Sequence, residues 1–528
     1  MRGLRWRGFV TLIAVQPLLG CSLMGLDDFG VAPCRSNDDC DAAEAQLRPG
    51  PSACGAAVCQ ADTGFCAWQE AHEICNGKDD DCDGLIDEGL VFSTKASGDV
   101  SATFAASADV AYASGAEPAQ TFVAVVADGL HEGFTLEPGA PVNELQYDST
   151  AGPMGCPVLG GEGMCNFAEV ALAADARHLV VASINTWGSA CGQVRVGLSD
   201  IDDPFKVRLG KAAGEQSEEP SNIALGVGID AGRCTGRDAS TAGATRPAVA
   251  SLGTEANGEG ALLLWLAADA SSTKAASDSI PVQALGLVVP QQNPAWLNGS
   301  NAGMPTELGR STSLTTPAVV ALKASPRGQR KYLVAFPSQQ HAEPGIVLIS
   351  AQVERAKLLV GPSEFLPVGA ADQVLLALGN ADRHEVGLAW RSSGASAQLC
   401  LAVFSPAEVT ISEQILNPAS VRCVHTPAAR FAPQILYQST GFATDEPTGG
   451  WFLSWVGAAN DNRQTFQVAR FRDGDSAPLN QARLHSGVIA QPVLYANSID
   501  DVSRVGYALI QPSAAAPEIF PDWCSDRD

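Results

Sequence analysis

Asp79, Asp81 and Asp83 alternate along the chain and Gly84 follows them at once. That order suits a loop wrapped around a hard cation, with carboxylate oxygens at the first, third and fifth places and then a glycine where the backbone turns sharply. Leu85 offers its backbone carbonyl, Ile86 an apolar anchor, and Asp87 a ligand that binds directly or through water. An EF-hand carries a bidentate glutamate at the twelfth place. Here that place is Leu90, so the loop departs from the EF-hand and draws on Glu88 or Glu73 instead. The expected ligands are Asp79, Asp81, Asp83, Leu85, Asp87 and Glu88, and the expected ion is Ca2+. Cys75 and Cys82 flank the loop closely enough to bridge and pre-bend it, which lowers the entropy lost on closing around an ion. The alternative is a solvated acidic turn held by a structural disulfide.

The stretch from Cys75 to Glu88 resembles a metal-binding repeat, with a consensus near Cys-Asp-Gly-x-Asp-Asn-Asp-Cys-Asp-Gly-x-x-Asp-Glu, that recurs in myxobacterial surface lipoproteins. It is also similar to repeats in a methanotroph surface copper protein. Asn76 and Asp80 depart from the consensus conservatively, and Cys34-Arg35-Ser36-Asn37-Asp38-Asp39-Cys40 resembles the small disulfide knots found beside it. The resemblance covers residues 34–89 only. Copper favours imidazole and thiolate, whereas this loop offers carboxylates, so the chemistry points to Ca2+. Trp68 and His72 read as packing and surface residues.

The chain's start bears on where such a loop would work. Arg2, Arg5 and Arg7 precede an apolar run from Phe9 to Leu19, then Gly20 and Cys21, the layout of an export signal. Leu18-Leu19-Gly20-Cys21 resembles a lipobox, in which Cys21 is acylated and becomes the new N-terminus, although Leu19 is bulkier than usual there. A plain secretory signal is the alternative. Later segments lack the roughly 18 unbroken apolar residues of a membrane helix, so Cys21 is the expected anchor, in the cell envelope at an outer membrane or the cell surface. Ser22 after it suggests an outer-membrane destination by resemblance to enteric lipoproteins. Loss of residues 1–20 removes three arginines and no acids, shifting the net charge from -25 to -28. So acidic a chain repels nucleic acid and gathers cations.

Setting Cys21 aside leaves 14 cysteines, an even number in an exported chain, which favours seven disulfides over thiol-bound metal. Seven of them (Cys34, Cys40, Cys54, Cys59, Cys66, Cys75, Cys82) crowd into fifty residues, and seven are scattered. Two odd sets need at least one bridge between them, and Cys524 is the candidate. The expected organisation is a signal (1–20), a lipidated tether (21–33), a Cys-rich unit too poor in large apolar residues to bury much core (34–89), and a β domain (90–528).

From Leu90 onward short apolar runs alternate with Gly, Ser, Pro, Asn and Asp, the texture of an all-β domain. Seven runs are variants of one strand: Phe122–Val126, Leu179–Ala182, Leu262–Trp265, Leu333–Phe336, Val386–Trp390, Trp451–Trp455 and Val505–Leu509. Their near-continuous apolar character fits strands buried on both faces. A second strand headed by proline precedes four of them, at Pro247, Pro317, Pro433 and Pro492; proline there loses no ladder bond. Such repeats predict a seven-bladed β-propeller, with Asp99–Phe104 available to complete the last blade. A pair of β-sandwiches is the alternative.

The sequence has no Gly-x-Ser-x-Gly elbow, no His-Glu-x-x-His pair and no phosphate-binding Gly-rich loop with its lysine. Its seven histidines are dispersed, and Asp200, Asp202 and Asp203 read as a solvated turn. The leading expectation is a non-catalytic surface protein whose propeller binds an extracellular protein or glycan. The alternative is an extracellular polysaccharide hydrolase with two carboxylates about 5–9 Å apart in the blade loops.

Overall fold

The computed structural model describes residues 33–48, 54–71 and 82 and, between 94 and 520, the strands with the turns beside them. These residues fall into two compact units, one holding 33–71 with Cys82 and the other the strands from Thr94 onward. The loop from Asp79 to Glu88, apart from Cys82, lies outside the described residues, as do Cys21, Cys75 and Cys524.

The N-terminal unit is a hairpin, Gly55–Gln60 with Phe65–Glu70, packed on a 3-10 turn, Asn37–Cys40, and a single helical turn, Glu44–Leu47. The Asp39 carboxylate accepts the backbone N–H groups of Arg35 and Ser36, and those bonds hold its pKa below the usual range. The buried apolar cluster is only Cys40, Ala43, Ala57 and Cys66. So small a core needs covalent support, which comes from Cys34–Cys59, Cys40–Cys66 and Cys54–Cys82. The last pairing corrects the expected Cys75–Cys82 bridge. Cys82 lies with its Cα 5.4 Å from that of Cys54, just before the hairpin, so it ties the acidic loop to the hairpin rather than closing the loop on itself.

The second unit is a seven-bladed β-propeller. Its innermost strands are Ala105–Ala113, Phe167–Ala174, Ala248–Ser251, Ala318–Leu322, Ala371–Leu378, Gln434–Gln438 and Val493–Ile499, one in each of seven sheets. Each packs on the next, and the seventh packs on the first, which closes the ring. Five blades are plain four-stranded antiparallel sheets; the second and third carry extra strands at their outer side. The seven apolar runs of the sequence are the second strands of the seven blades. Thr94–Lys95, from the start of the domain, pairs with Ala514–Phe520 in the last blade; the expected closing segment Asp99–Phe104 lies outside the described residues.

Alternation along these second strands explains why they read as continuously apolar. In the third blade Ala261, Leu263 and Trp265 pack toward the second blade, while Leu262, Leu264 and Leu266 pack toward the fourth. In the fourth, Tyr332, Val334 and Phe336 face back and Leu333 and Ala335 face forward. Successive side chains leave a strand on opposite faces, and here both faces are interior. The fifth blade adds a disulfide between directly opposed residues, Cys400 and Cys423.

Candidate functional site

An innermost strand has a free backbone edge toward the ring's centre, and unpaired buried N–H and C=O groups are costly. Neighbouring blades satisfy some of these groups with side chains. Asp109 of the first blade accepts the Leu172 N–H of the second at 2.7 Å. Gln434 of the sixth accepts the Leu494 N–H of the seventh at 2.7 Å. Gln491, before the seventh inner strand, bonds both the N–H and the C=O of Ala432, before the sixth. The Asp109 bond lies midway along its strands, whereas those of Gln434 and Gln491 join the head of the sixth inner strand to the head of the seventh, so these heads share one rim of the ring.

Along that rim, Pro247, Pro317, Pro433 and Pro492 stand directly before the inner strands of the third, fourth, sixth and seventh blades. The fifth blade breaks the series. Its inner strand opens Ala371-Asp372-Gln373, and the register slips there: Ala371 faces Ser392 and Gln373 faces Arg391, leaving Asp372 as a bulged extra residue. A bulge re-aims a side chain, and bulges recur beside functional sites.

Arg391, near the end of the second strand, grips the re-aimed carboxylate. Its Nε donates to Oδ1 at 2.8 Å and Oδ2 at 3.1 Å, and its Nη2 donates to Oδ2 at 2.8 Å. This planar fork is charge-assisted and fixes orientation as well as energy. The Arg391 side chain is 14% exposed and that of Asp372 34%, so the pair is anchored inside and open on the carboxylate side.

The fourth blade supplies the adjoining wall. Ser311-Thr312-Ser313-Leu314-Thr315-Thr316 leads into its inner strand, and the Ser313 and Thr315 hydroxyls both donate to the Asp372 carbonyl, at 2.7 and 2.5 Å. The loop is braced internally, since Ser313 and Thr315 hydroxyls lie 3.0 Å apart and Ser311 Oγ bonds the Ser313 backbone. Arg391 Nη1, Gln373 Oε1 and Thr316 Oγ1 are screened from solvent and find no hydrogen-bond partner among the described residues. Each such group costs about 1–3 kcal/mol while it stays unpaired.

The residues singled out in the sequence are not among those that form this cluster, and several lie outside the described residues. Asp79, Asp81, Asp83, Leu85, Asp87 and Glu88 belong to the latter group, with Cys21 and Cys75. Asp200, Asp202 and Asp203 form the hairpin turn between two strands of the second blade, with Asp200 3.9 Å from the buried His178. His341 and His384 sit on exposed turns. The sulfurs of Cys34, Cys40 and Cys66 lie within 4.8 Å of one another, but all three are oxidised in disulfides and offer no thiolate to a metal. Asp372 and Arg391 escape a motif search because 19 positions separate them and neither belongs to a familiar signature. The proline missing at the head of the fifth blade is no distinguishing signal, since Phe104 and Asn166 stand at that place before the first and second inner strands.

Fold and site together define a closed seven-bladed propeller with a polar cluster on the rim where its inner strands begin. No protein-family model matches the sequence, and no curated protein does. Among solved structures it is similar in fold to an alpha-L-arabinanase of Penicillium chrysogenum complexed with arabinobiose, at 11% identity over 72% of this chain and 97% of that one, TM-score 0.35. It is similar too to an ulvan lyase, at 9% identity over 83% and 96%, TM-score 0.41. A third is the SapL1 lectin in complex with alpha methyl fucoside, at 11% identity over 79% and 98%, TM-score 0.33. Likenesses this distant lend this chain neither ligand nor reaction.

Proposed function

We propose that this protein is a non-catalytic surface lipoprotein, anchored through acylated Cys21, whose propeller binds an extracellular glycan at the head of the fifth blade. The observation that carries the reading is the Asp372–Arg391 fork, open to solvent on its carboxylate side, beside the hydroxyl-bearing Ser313–Thr315 loop. A protein partner would call for an apolar or aromatic centre. Here Leu314, 39% exposed, is the large apolar side chain open to solvent in this wall. Polar capacity set on a rigid frame suits the hydroxyls of a sugar better.

Binding is favoured over hydrolysis because the described inner-strand carboxylates with resolved surroundings, Asp109 and Asp372, are each bound within the protein, one by a backbone N–H and the other by a guanidinium. An acid catalyst must be free to hand over a proton. Among the described residues no helix is long and apolar enough to cross a membrane. The acidic charge of the chain speaks against nucleic acid as a partner.

Screening the purified full chain on an oligosaccharide array tests the reading: selective retention of a set of glycans is expected, and a blank array overturns it. The Asp79–Glu88 loop in this reading holds Ca2+ as a staple for the N-terminal unit. Calorimetry of the EDTA-stripped protein is then expected to show about one Ca2+ bound per chain, with the heat lost in the Asp79→Asn, Asp81→Asn, Asp83→Asn variant. No heat up to about millimolar Ca2+, the weak end of extracellular calcium modules, reduces the loop to a disulfide-tethered acidic turn.

A further inference from the structure

We infer that the fifth-blade rim takes a neutral saccharide through two adjacent hydroxyls, with Asp372 as their common acceptor and the Ser313–Thr316 loop as the wall that orients the ring. The inference rests on the glycan-binding reading and adds to it a ligand class and a recognition residue.

The chemistry follows from what is already spent and what is left. A carboxylate can accept about four hydrogen bonds and donates none when ionised. Arg391 occupies the inner side of Asp372, while the side chain remains 34% exposed, so acceptor capacity faces solvent. Two neighbouring hydroxyls of a pyranose can both donate to one such carboxylate, and hydrogen bonds to a charged group are worth more than neutral ones. Each ligand hydroxyl that donates also keeps lone pairs. The Ser313 and Thr315 hydroxyls already give their protons to the Asp372 carbonyl, so they position the bulge rather than donate to ligand. Thr316 Oγ1, Arg391 Nη1 and Gln373 Oε1 are screened from solvent, so the exposed side of the Asp372 carboxylate is the part of the cluster that meets a ligand.

Charge selects between neutral and acidic sugars. The Arg391 charge is matched by Asp372 at hydrogen-bond distance, which leaves no net cation to attract a uronate or sialate. The chain as a whole carries -25, so an anionic saccharide meets repulsion on approach. Asp372 also owes its aim to the bulge. A strand without the slip would send that side chain to one of the two blade faces, where the neighbouring blades pack.

The test compares neutral oligosaccharides (glucose-, galactose- and mannose-based) with uronate- and sialate-bearing ones on the purified full chain, and then titrates the best neutral probe against its monodeoxy analogues. Removing either of two adjacent hydroxyls is expected to weaken binding by at least about 10-fold, as for a bond to a charged group, and removing the others by much less. The deoxy series uses the unaltered protein, so no folding defect can imitate the result. Asp372→Asn is expected to give a similar loss in a protein that still unfolds cooperatively. A preference for acidic probes, or neutral binding indifferent to every single deoxy change and to a folded Asp372→Asn, overturns this inference while leaving glycan binding in place. Failure to bind any probe overturns both.

Discussion

Replacing Trp451 with alanine is expected to cost about 3–5 kcal/mol of unfolding free energy, the range for deleting a fully buried aromatic. Trp451 is 0% exposed and belongs to the apolar layer between the fifth and sixth blades. Tyr437 lies across from it, with ring centroids 4.8 Å apart. Its six-membered ring lies over two glycines of the fifth blade, Gly379 and Gly387, and a Cβ built on either would fall inside the ring's contact distance. The tryptophan therefore fills a hollow that the absence of two side chains creates. Gly387→Ala is expected to cost about 1–3 kcal/mol by overpacking. Combining it with Trp451→Phe should cost less than the sum of the two single changes, because each relieves the other. Denaturant unfolding measures all three, and strict additivity would show that the ring and Gly387 do not share the space.

The second large effect is a loss of stability in acid that traces to one histidine. His485, on the outer strand of the sixth blade, is pushed down from 6.5 to about 4 by burial, and its Nε2 lies 3.0 Å from the Tyr507 hydroxyl of the seventh blade. Its folded pKa is below its unfolded one, so the unfolded chain takes up the proton first. Stability is then lost as pH falls below about 6.5, and the loss levels off below about 4. A displacement of that size corresponds to about 3 kcal/mol. His485→Gln keeps a group able to bond Tyr507 and removes the titration. Between about pH 7 and pH 4 the native protein should therefore lose about 3 kcal/mol more than the variant. Equal losses would mean that His485 is as free to protonate in the fold as in the unfolded chain.

Much of the propeller was legible because it rests on repetition. Seven apolar runs, each buried on both faces, can be counted without knowing any contact, and each is the second strand of a blade. The prolines at 247, 317, 433 and 492 mark inner-strand heads because proline is tolerated where no ladder bond is lost. Repetition could not locate the closing strand. Thr94–Lys95 contributes two residues of backbone pairing to the last blade, too short a stretch to show a period. The partner of Cys82 was equally hidden, since spacing makes Cys75 the near neighbour and only the fold carries Cys54 to it. The fifth-blade rim was missed for another reason. A bulge is a slip of register between two strands, and a single sequence records no register; Asp372 and Arg391 read as ordinary strand residues until the slip turns one toward the other.

The central claim is recognition of a glycan without chemistry. Its most direct test is to incubate the purified full chain with polysaccharides that it retains on an array and to follow bound ligand and newly formed chain ends together. Saturable binding with no new reducing or unsaturated ends over many hours is the expected result, and Asp372→Asn should weaken the binding by at least about 10-fold. Steady release of chain ends by the native protein, lost in Asp372→Asn, would contradict it and make the fifth-blade rim an active site.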